Sequence, residues 1–208
     1  MEKINLSILI LSIPERLNSL GNLLAKLDQQ IKSNGLSGRV EVASLLDNCT
    51  STIASKRNSI LDHALGRYVA FLDDDDDVSQ DYVLSLVENS QFSPDVITFK
   101  QRCKINGRRL DVSFGLNNPH EGLILGPDGN YMPIMRPPYH ICAWKAEIAK
   151  SEKFREVYGS DGQSCEDIDW CMRLYPKIKN ECHVNKTIHL YTYDDAKTKS
   201  KIKLNEDF

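Results

Sequence analysis

Hydrophobic residues along the first hundred positions alternate between short continuous runs and regularly spaced patterns. Apolar runs at residues 4–12, 39–46, 68–72 and 95–99 predict four buried β-strands. The segments between them carry apolar residues at helical spacing, which predicts one helix after each of the first three strands. This β-α-β-α-β-α-β order with short connections predicts a mainly parallel sheet flanked by helices, and therefore an α/β fold.

Residues that commonly start or stop helices mark the ends of the three predicted helices. They are Pro14 and Asn34-Gly35 for the first helix, Ser51 or Thr52 and Gly66 for the second, and Ser79 for the start of the third. Leu65 is expected among the apolar positions of the second helix.

The second half of the chain is richer in glycine and proline and predicts more loops. Asn106-Gly107 predicts a tight β-hairpin turn. We expect a short helix at 144–149, a helix capped by Ser164 and reaching about Tyr175, and a late strand at 182–193. The lysine-rich residues 196–208 are expected to form a flexible tail.

Composition narrows the class of protein without naming a function. The chain has 208 residues, 41% of them hydrophobic, and a net charge of −3, so we expect one globular domain. The apolar start at 4–13 lacks a signal-peptide cleavage site, and no stretch approaches the length of a membrane span. The six cysteines form no C-x-x-C pair. We therefore expect reduced thiols in a cytoplasmic protein.

Five consecutive aspartates, 73–77, directly follow the third predicted strand. Adjacent carboxylates raise one another's pKa, and a divalent cation would relieve that repulsion. In extended backbone Asp73, Asp75 and Asp77 would share one side, and such oxygen ligands suit Mg²⁺, Mn²⁺ or Ca²⁺. The alternative is a solvated acidic loop. A calcium EF-hand is excluded because Tyr82 would occupy the position of its turn glycine.

Four segments appear in an order that resembles the family 2 glycosyltransferases of the GT-A (Rossmann-like) fold. They are S-I-P-E-R at 12–16, the strand end at Asp47, the run from A-S-K-R-N at 54–58 to A-L-G-R-Y-V-A-F-L-D-D-D-D at 64–76, and C-E-D-I-D-W at 165–170. The resemblance covers roughly residues 4–193. It implies one domain with a nucleotide-sugar-binding half (1–100) and an acceptor and catalytic half (101–195).

The resemblance also implies a donor site built around the aspartates. Asp75 would be the main ligand of a Mn²⁺ or Mg²⁺ ion, with Asp73 or Asp74 directed toward the ribose. Asp73 and His189 are further candidate metal ligands, although a lone histidine in a strand is also often structural. The other candidate donor-binding residues are Asp47 toward the base, Arg57 near base and phosphates, Arg16, and His140.

The pair Glu166-Asp167 would supply the general base that deprotonates the acceptor. Asp167 is the favoured base, and the alternative is an N-terminal capping arrangement of Ser164 with Asp167. A carboxylate at a helix start is stabilised as the anion.

Together these residues predict a metal-dependent, inverting glycosyltransferase that uses a nucleoside-diphosphate sugar, with a UDP-sugar favoured. The acceptor would be a saccharide or another hydroxyl. A modified base in DNA is an alternative, because basic residues cluster at 100–109. A nucleotidyltransferase and a non-catalytic nucleotide-sugar binder are the other rivals.

Overall fold

A computed structural model describes residues 4–160, 162 and 164–194. Within them lie nine strands: β1 (Leu6–Ser12), β2 (Val40–Leu46), β3 (Tyr68–Asp73), β4 (Asp77–Val78), β5 (Val96–Ile105), β6 (Arg108–Phe114), β7 (Ile134–Arg136), β8 (Ala143–Lys145) and β9 (Glu181–Tyr193). The helices are α1 (Leu17–Ser33), α2 (Ile53–His63), α3 (Tyr82–Ser90), α4 (Ala146–Ala149) and α5 (Glu166–Leu174), with 3₁₀ turns at Pro14–Arg16 and Tyr175–Lys177. The predicted tail at 196–208 lies outside the described residues.

One continuous sheet runs in the order β2-β1-β3-β8-β5-β6-β7, and β9 pairs with both β5 and β4. β1 is parallel to β2 and β3, and β9 is parallel to β5. β8 lies antiparallel between β3 and β5, so those two strands point the same way. The predicted α/β fold with a mostly parallel central sheet is confirmed, and the sheet also contains antiparallel strands.

β1 explains why the first apolar run is continuous rather than alternating. It lies between two parallel partners, and Ile8, Leu9 and Ile10 are all fully buried. A strand covered on both faces needs apolar side chains at successive positions. Leu20, Leu23 and Leu27 of α1 are buried in the same core cluster.

Two predicted helix boundaries are wrong. Thr52 caps α2 as expected, accepting a 3.2 Å hydrogen bond from the Ser55 amide, but α2 ends at His63 and leaves Leu65 70% exposed. Ser79 does not cap α3, which starts at Tyr82 after Asp81. The Ser79 amide instead donates to Ile188 O, because β4 pairs with β9 and keeps this segment extended.

The second half follows its predicted outline with two further corrections. Asn106 and Gly107 both have positive φ, at 48° and 82°, and form the expected hairpin turn between β5 and β6. Trp144 lies in β8 rather than in a helix, because this segment fills the gap between β3 and β5. The N-cap of α5 is Cys165, not Ser164.

Candidate active site

The carboxyl ends of three neighbouring parallel strands form one edge of the sheet. Ser12 ends β1, Asp73 ends β3, and Asp47 directly follows β2. Ligands of open α/β sheets bind at such an edge. The parallel registry thus brings together residues that are far apart in sequence.

The aspartate run alternates between outward and inward side chains. Asp75 and Asp77 are exposed and Asp73 is half-buried, whereas Asp74 and Asp76 are buried. This matches the alternation expected from strand geometry, although the backbone turns after Asp73 and the Asp76 amide donates to Asp73 O at 3.1 Å. The inward and outward carboxylates therefore have different neighbours.

Arg16 neutralises part of the run. Its Nη1 lies 2.9 Å from Asp74 Oδ1 and 3.1 Å from Asp75 Oδ1. Asp74 also accepts a 2.6 Å hydrogen bond from Ser12 Oγ. Burial opposes the charge on Arg16, but the neighbouring carboxylates of Asp74 and Asp75 raise its pKa overall. Arg16 therefore forms ion pairs with two of the aspartates, Asp74 and Asp75.

Asp73 and Asp75 have raised pKa values although each lies near an arginine. Burial and nearby carboxylates raise the pKa of Asp73 to about 7, against the opposing effect of Arg57, although its side chain keeps 40% of its surface exposed. Burial likewise raises the pKa of Asp75, whose side chain is 44% exposed, and Asp76 and Asp74 add to that effect. Both side chains therefore stand where a cation would favour their ionised forms.

Asp76 and His189 form a second, fully buried pair. His189 Nε2 lies 3.1 Å from Asp76 Oδ2, without the alignment of a hydrogen bond. His189 Nδ1 is 3.1 Å from Gln101 Nε2, which donates to it, and the ring stacks on Phe99. Asp76 Oδ1 also has no hydrogen-bond partner. His189 Nε2 and Asp76 Oδ1 are therefore two buried polar atoms without a hydrogen-bond partner, which is unusual in a folded protein.

Asp47 is held in a tight arrangement at the end of β2. Oδ1 accepts a 2.8 Å hydrogen bond from Thr50 Oγ1, and Oδ2 lies 3.3 Å from Lys56 Nζ. The Thr50 bond, with the Ser51 amide and Lys56, lowers the pKa of Asp47 to about 2. This carboxylate is therefore ionised at neutral pH and oriented by its neighbours.

Arg57 connects the donor side of the site to α5. Its Nε donates to Glu166 Oε1 at 3.1 Å, and its Nη2 lies 3.6 Å from Asp73 Oδ1. The guanidinium also packs over the rings of Phe71 and Phe154, at 5.2 and 5.7 Å. Burial opposes its charge, but the nearby carboxylates, Asp73 first, raise its pKa. Arg57 is therefore a buried cation between two candidate catalytic regions.

The two carboxylates at the start of α5 have different environments. Glu166 is 3% exposed, with one oxygen bonded to Arg57 and the other to Ser164 Oγ. Asp167 is more accessible, with an 18% exposed side chain, and its Oδ2 accepts a 2.8 Å hydrogen bond from the Tyr139 hydroxyl. Both carboxylate oxygens of Glu166 therefore have hydrogen-bond partners. Asp167 is oriented by Tyr139 and remains partly accessible to solvent.

His140 lies next to Asp167 in the same buried corner. Its Nδ1 is 3.3 Å from Asp167 Oδ2, yet neither ring nitrogen makes an aligned hydrogen bond. Burial, together with Arg57 and His189, holds the pKa of His140 well below its usual value. The ring is therefore neutral near pH 7.

Four residues of this site have no role in the sequence-based prediction: Lys56, Asp76, Gln101 and Tyr139. Lys56 belongs to the motif at 54–58, and Tyr139 directly precedes the candidate residue His140, so those positions were the available signal. The pairing of Asp76 and Gln101 with His189 depends on the register between β9, β4 and β5. No sequence pattern indicates that register.

The described residues contain no preformed group of three or more His, Cys, Asp or Glu side chains arranged to hold a metal ion. Mg²⁺ sites commonly use only one or two carboxylates and take their other ligands from substrate phosphates and water. Asp73 and Asp75, with raised pKa values, fit that limited role. The residues present are compatible with a cation that binds together with a diphosphate.

Comparison with known proteins identifies a family and solved structures that share the fold. The family described as Glycosyl transferase family 2 matches residues 37–140, which is half of the chain. The matched segment contains Asp47, Arg57 and the aspartate run. No curated protein matches the chain by sequence.

Solved structures of S. aureus TarS share the fold. The complex of TarS 1–349 with UDP-GlcNAc is 16% identical, with a TM-score of 0.61, covering 92% of this chain and 59% of that one. The UDP complex is 15% identical, with a TM-score of 0.55, covering 92% and 61%. The chain thus spans less than two thirds of these structures. None of its described helices has the length and hydrophobicity needed to cross a bilayer.

Proposed function

This chain belongs to glycosyl transferase family 2, and we propose that it is a metal-dependent, inverting glycosyltransferase. It would move a sugar from a nucleoside diphosphate to an acceptor hydroxyl. The single observation that carries the proposal is Arg57, a buried cation that contacts both the strand-end Asp73 and the helix-start Glu166. That contact connects the end of β3 to the start of α5, where the candidate base Asp167 lies.

The donor's diphosphate would lie over the carboxyl ends of β1, β2 and β3. Asp75, with Asp73, would hold Mn²⁺ or Mg²⁺, and the remaining candidate ligand, His189, lies 3.1 Å from the buried Asp76. The ion would neutralise negative charge that develops on the diphosphate leaving group. Asp47, ionised and fixed by Thr50 and Lys56, would accept hydrogen bonds from the base. UDP is the favoured nucleotide, because the structural neighbour TarS is known with UDP and UDP-GlcNAc.

Asp167 is the better candidate for the general base of the pair. Glu166 is enclosed and has both oxygens occupied by Arg57 and Ser164, so it would position α5 rather than move a proton. Asp167 would take the proton of the acceptor hydroxyl while that oxygen bonds to the anomeric carbon. The bond from that carbon to the diphosphate breaks in the same step, which inverts the anomeric configuration. Tyr139 and the Ile168 amide, both hydrogen-bonded to Asp167, would fix its orientation.

Donor binding tests the metal role without knowledge of the acceptor. A thermal-shift screen of nucleotide-sugars with Mn²⁺ or with EDTA should show stabilisation by the correct donor only when metal is present. Asp75→Asn should abolish that shift. Asp77→Asn is the matched control, because Asp77 belongs to the same run but pairs with Lys26 at 2.5 Å. Equal donor shifts in EDTA and Mn²⁺ would contradict the metal role.

A further inference from the structure

Five large apolar side chains are about half exposed or more within thirteen residues of the second half. They form what is called here the apolar surface: Leu123, Ile124, Leu125, Met132 and Met135, with exposures of 50%, 65%, 52%, 48% and 49%. The Met132 amide donates to Ile124 O at 2.8 Å, so two parts of the loop are held side by side. Ile124 and Met132 also line one shallow surface depression. A backbone hydrogen bond therefore holds the two parts of the apolar surface next to each other.

Exposed cations stand directly beside this surface. The basic hairpin, residues 100–109, carries Lys104, Arg108 and Arg109 in exposed positions. Arg109 O accepts a 2.9 Å hydrogen bond from the Tyr131 amide, which fastens the apolar loop to the start of β6. Residues 100–136 contain six Lys or Arg and three Asp or Glu, whereas the whole chain has a net charge of −3. This region is thus positive in an otherwise acidic protein.

We propose that the apolar surface and the basic hairpin together dock on an anionic lipid bilayer. Soluble monomers rarely expose contiguous apolar patches without a binding role. Aliphatic and methionine side chains can enter the boundary between headgroups and acyl chains, while adjacent Lys and Arg are attracted to anionic lipids. A surface that is both apolar and positively charged favours an anionic bilayer over other partners.

Two other partners fit the surface less well. A nucleic acid would be held by cations and stacked aromatic rings, but the exposed side chains here are aliphatic or methionine. A second copy in a twofold contact would bury the positive charge of both molecules in one interface. A bilayer rich in anionic lipid would attract the basic side chains and accommodate the apolar side chains in its interfacial region.

The docking proposal stands independently of the proposed catalytic function. It nevertheless has a spatial consequence, because Tyr139, whose hydroxyl contacts Asp167, lies only four positions after Met135 in the chain. Four residues of chain span at most about 14 Å. A bilayer at the apolar surface would therefore lie on the side of the molecule that holds the candidate base.

Vesicle flotation tests the proposal with the whole chain. The protein should float with mixed phosphatidylcholine–phosphatidylglycerol vesicles and only weakly with phosphatidylcholine alone. Raising salt from about 0.1 M to about 1 M should release it, because the screening length falls from about 10 Å to about 3 Å. Ile124→Glu should weaken binding at least about tenfold, through loss of a buried aliphatic side chain. Arg108→Gln should weaken it about fivefold, the value of one cation near an anionic surface.

Matched variants separate docking from general effects of surface mutation. Leu65→Glu replaces a side chain that is 70% exposed outside the apolar surface, and Arg155→Gln removes an exposed cation elsewhere. Both should bind vesicles like the wild type. Flotation equally reduced by the control variants, or absent with anionic vesicles, would overturn the proposal. So would a dimer in sedimentation that Ile124→Glu dissociates, or DNA binding that depends on Arg108 without vesicle binding.

Discussion

Replacing Arg57 with methionine should destabilise the protein far more than removing a surface arginine. Arg57 is 5% exposed and its main partner, Glu166, is 3% exposed, so the variant leaves a carboxylate buried without its cation. Removing one member of a buried ion pair typically costs about 3–5 kcal/mol. Asp73 is 40% exposed on its side chain and remains solvated, so we expect the lower end, about 3 kcal/mol. For a domain of this size that corresponds to a fall of about 6–12 °C in melting temperature.

Urea denaturation followed by circular dichroism measures this loss. Arg102→Met is the control, because the side chain of Arg102 is 48% exposed and pairs with Asp111 at the surface, so this variant should lose only about 1 kcal/mol or less. The double variant Arg57→Met with Glu166→Gln removes the uncompensated charge as well. It should recover about 1–2 kcal/mol relative to the sum of the single variants. A loss below about 1 kcal/mol for Arg57→Met, or full additivity, would refute the buried bridge.

Three further predictions concern the same site. The raised pKa of Asp73, about 7, means that the folded protein retains a proton there that the unfolded chain releases near pH 4. The stabilising contribution of Asp73 in EDTA should therefore be lost as pH rises from about 4 to about 7, so the melting temperature of Asp73→Asn should rise relative to wild type over that range; a difference between the two proteins that does not change with pH would contradict the raised pKa. Tyr139→Phe removes the hydroxyl bound to Asp167, so turnover should fall roughly tenfold or more while donor affinity from calorimetry stays the same; a matching loss of affinity would contradict a positioning role. Asp47→Ala should weaken UDP binding about tenfold, whereas Asp95→Ala, remote from the strand ends that hold the donor, should not; equal affinities would remove Asp47 from the donor site.

The first half of the fold could be predicted because its signals are local. The apolar runs of β1 and β3 are continuous since both strands are covered on two faces, and Thr52 caps α2 as its residue type indicates. The role predicted for Ser79 is wrong for a non-local reason. The pairing of β4 with β9 extends the chain past Ser79, and no pattern in residues 77–81 encodes a partner more than a hundred residues away.

The residues of the candidate site could be predicted from the sequence, but the contacts between them could not. The motif order placed Asp47 and the aspartates at strand ends, Arg57 on a helix, and Asp167 at a helix start. The contacts of Arg57 with Glu166 and of His189 with Asp76 arise from tertiary packing and strand register. For the same reason, nothing in the aspartate run indicates that the side chain of Asp76 is buried against His189.

The general base tests the account most directly. Release of UDP from UDP-GlcNAc, or from the donor that the thermal screen identifies, should be measured with Mn²⁺ for wild type, Asp167→Asn and Asp169→Asn. Asp169 lies on the same helix but pairs with Arg173 at 2.7 Å, so its variant should keep wild-type turnover. Asp167→Asn should bind donor normally and turn over about 100-fold or more slowly, the usual contribution of a general base. Equal turnover in Asp167→Asn and wild type would contradict the proposed catalytic role.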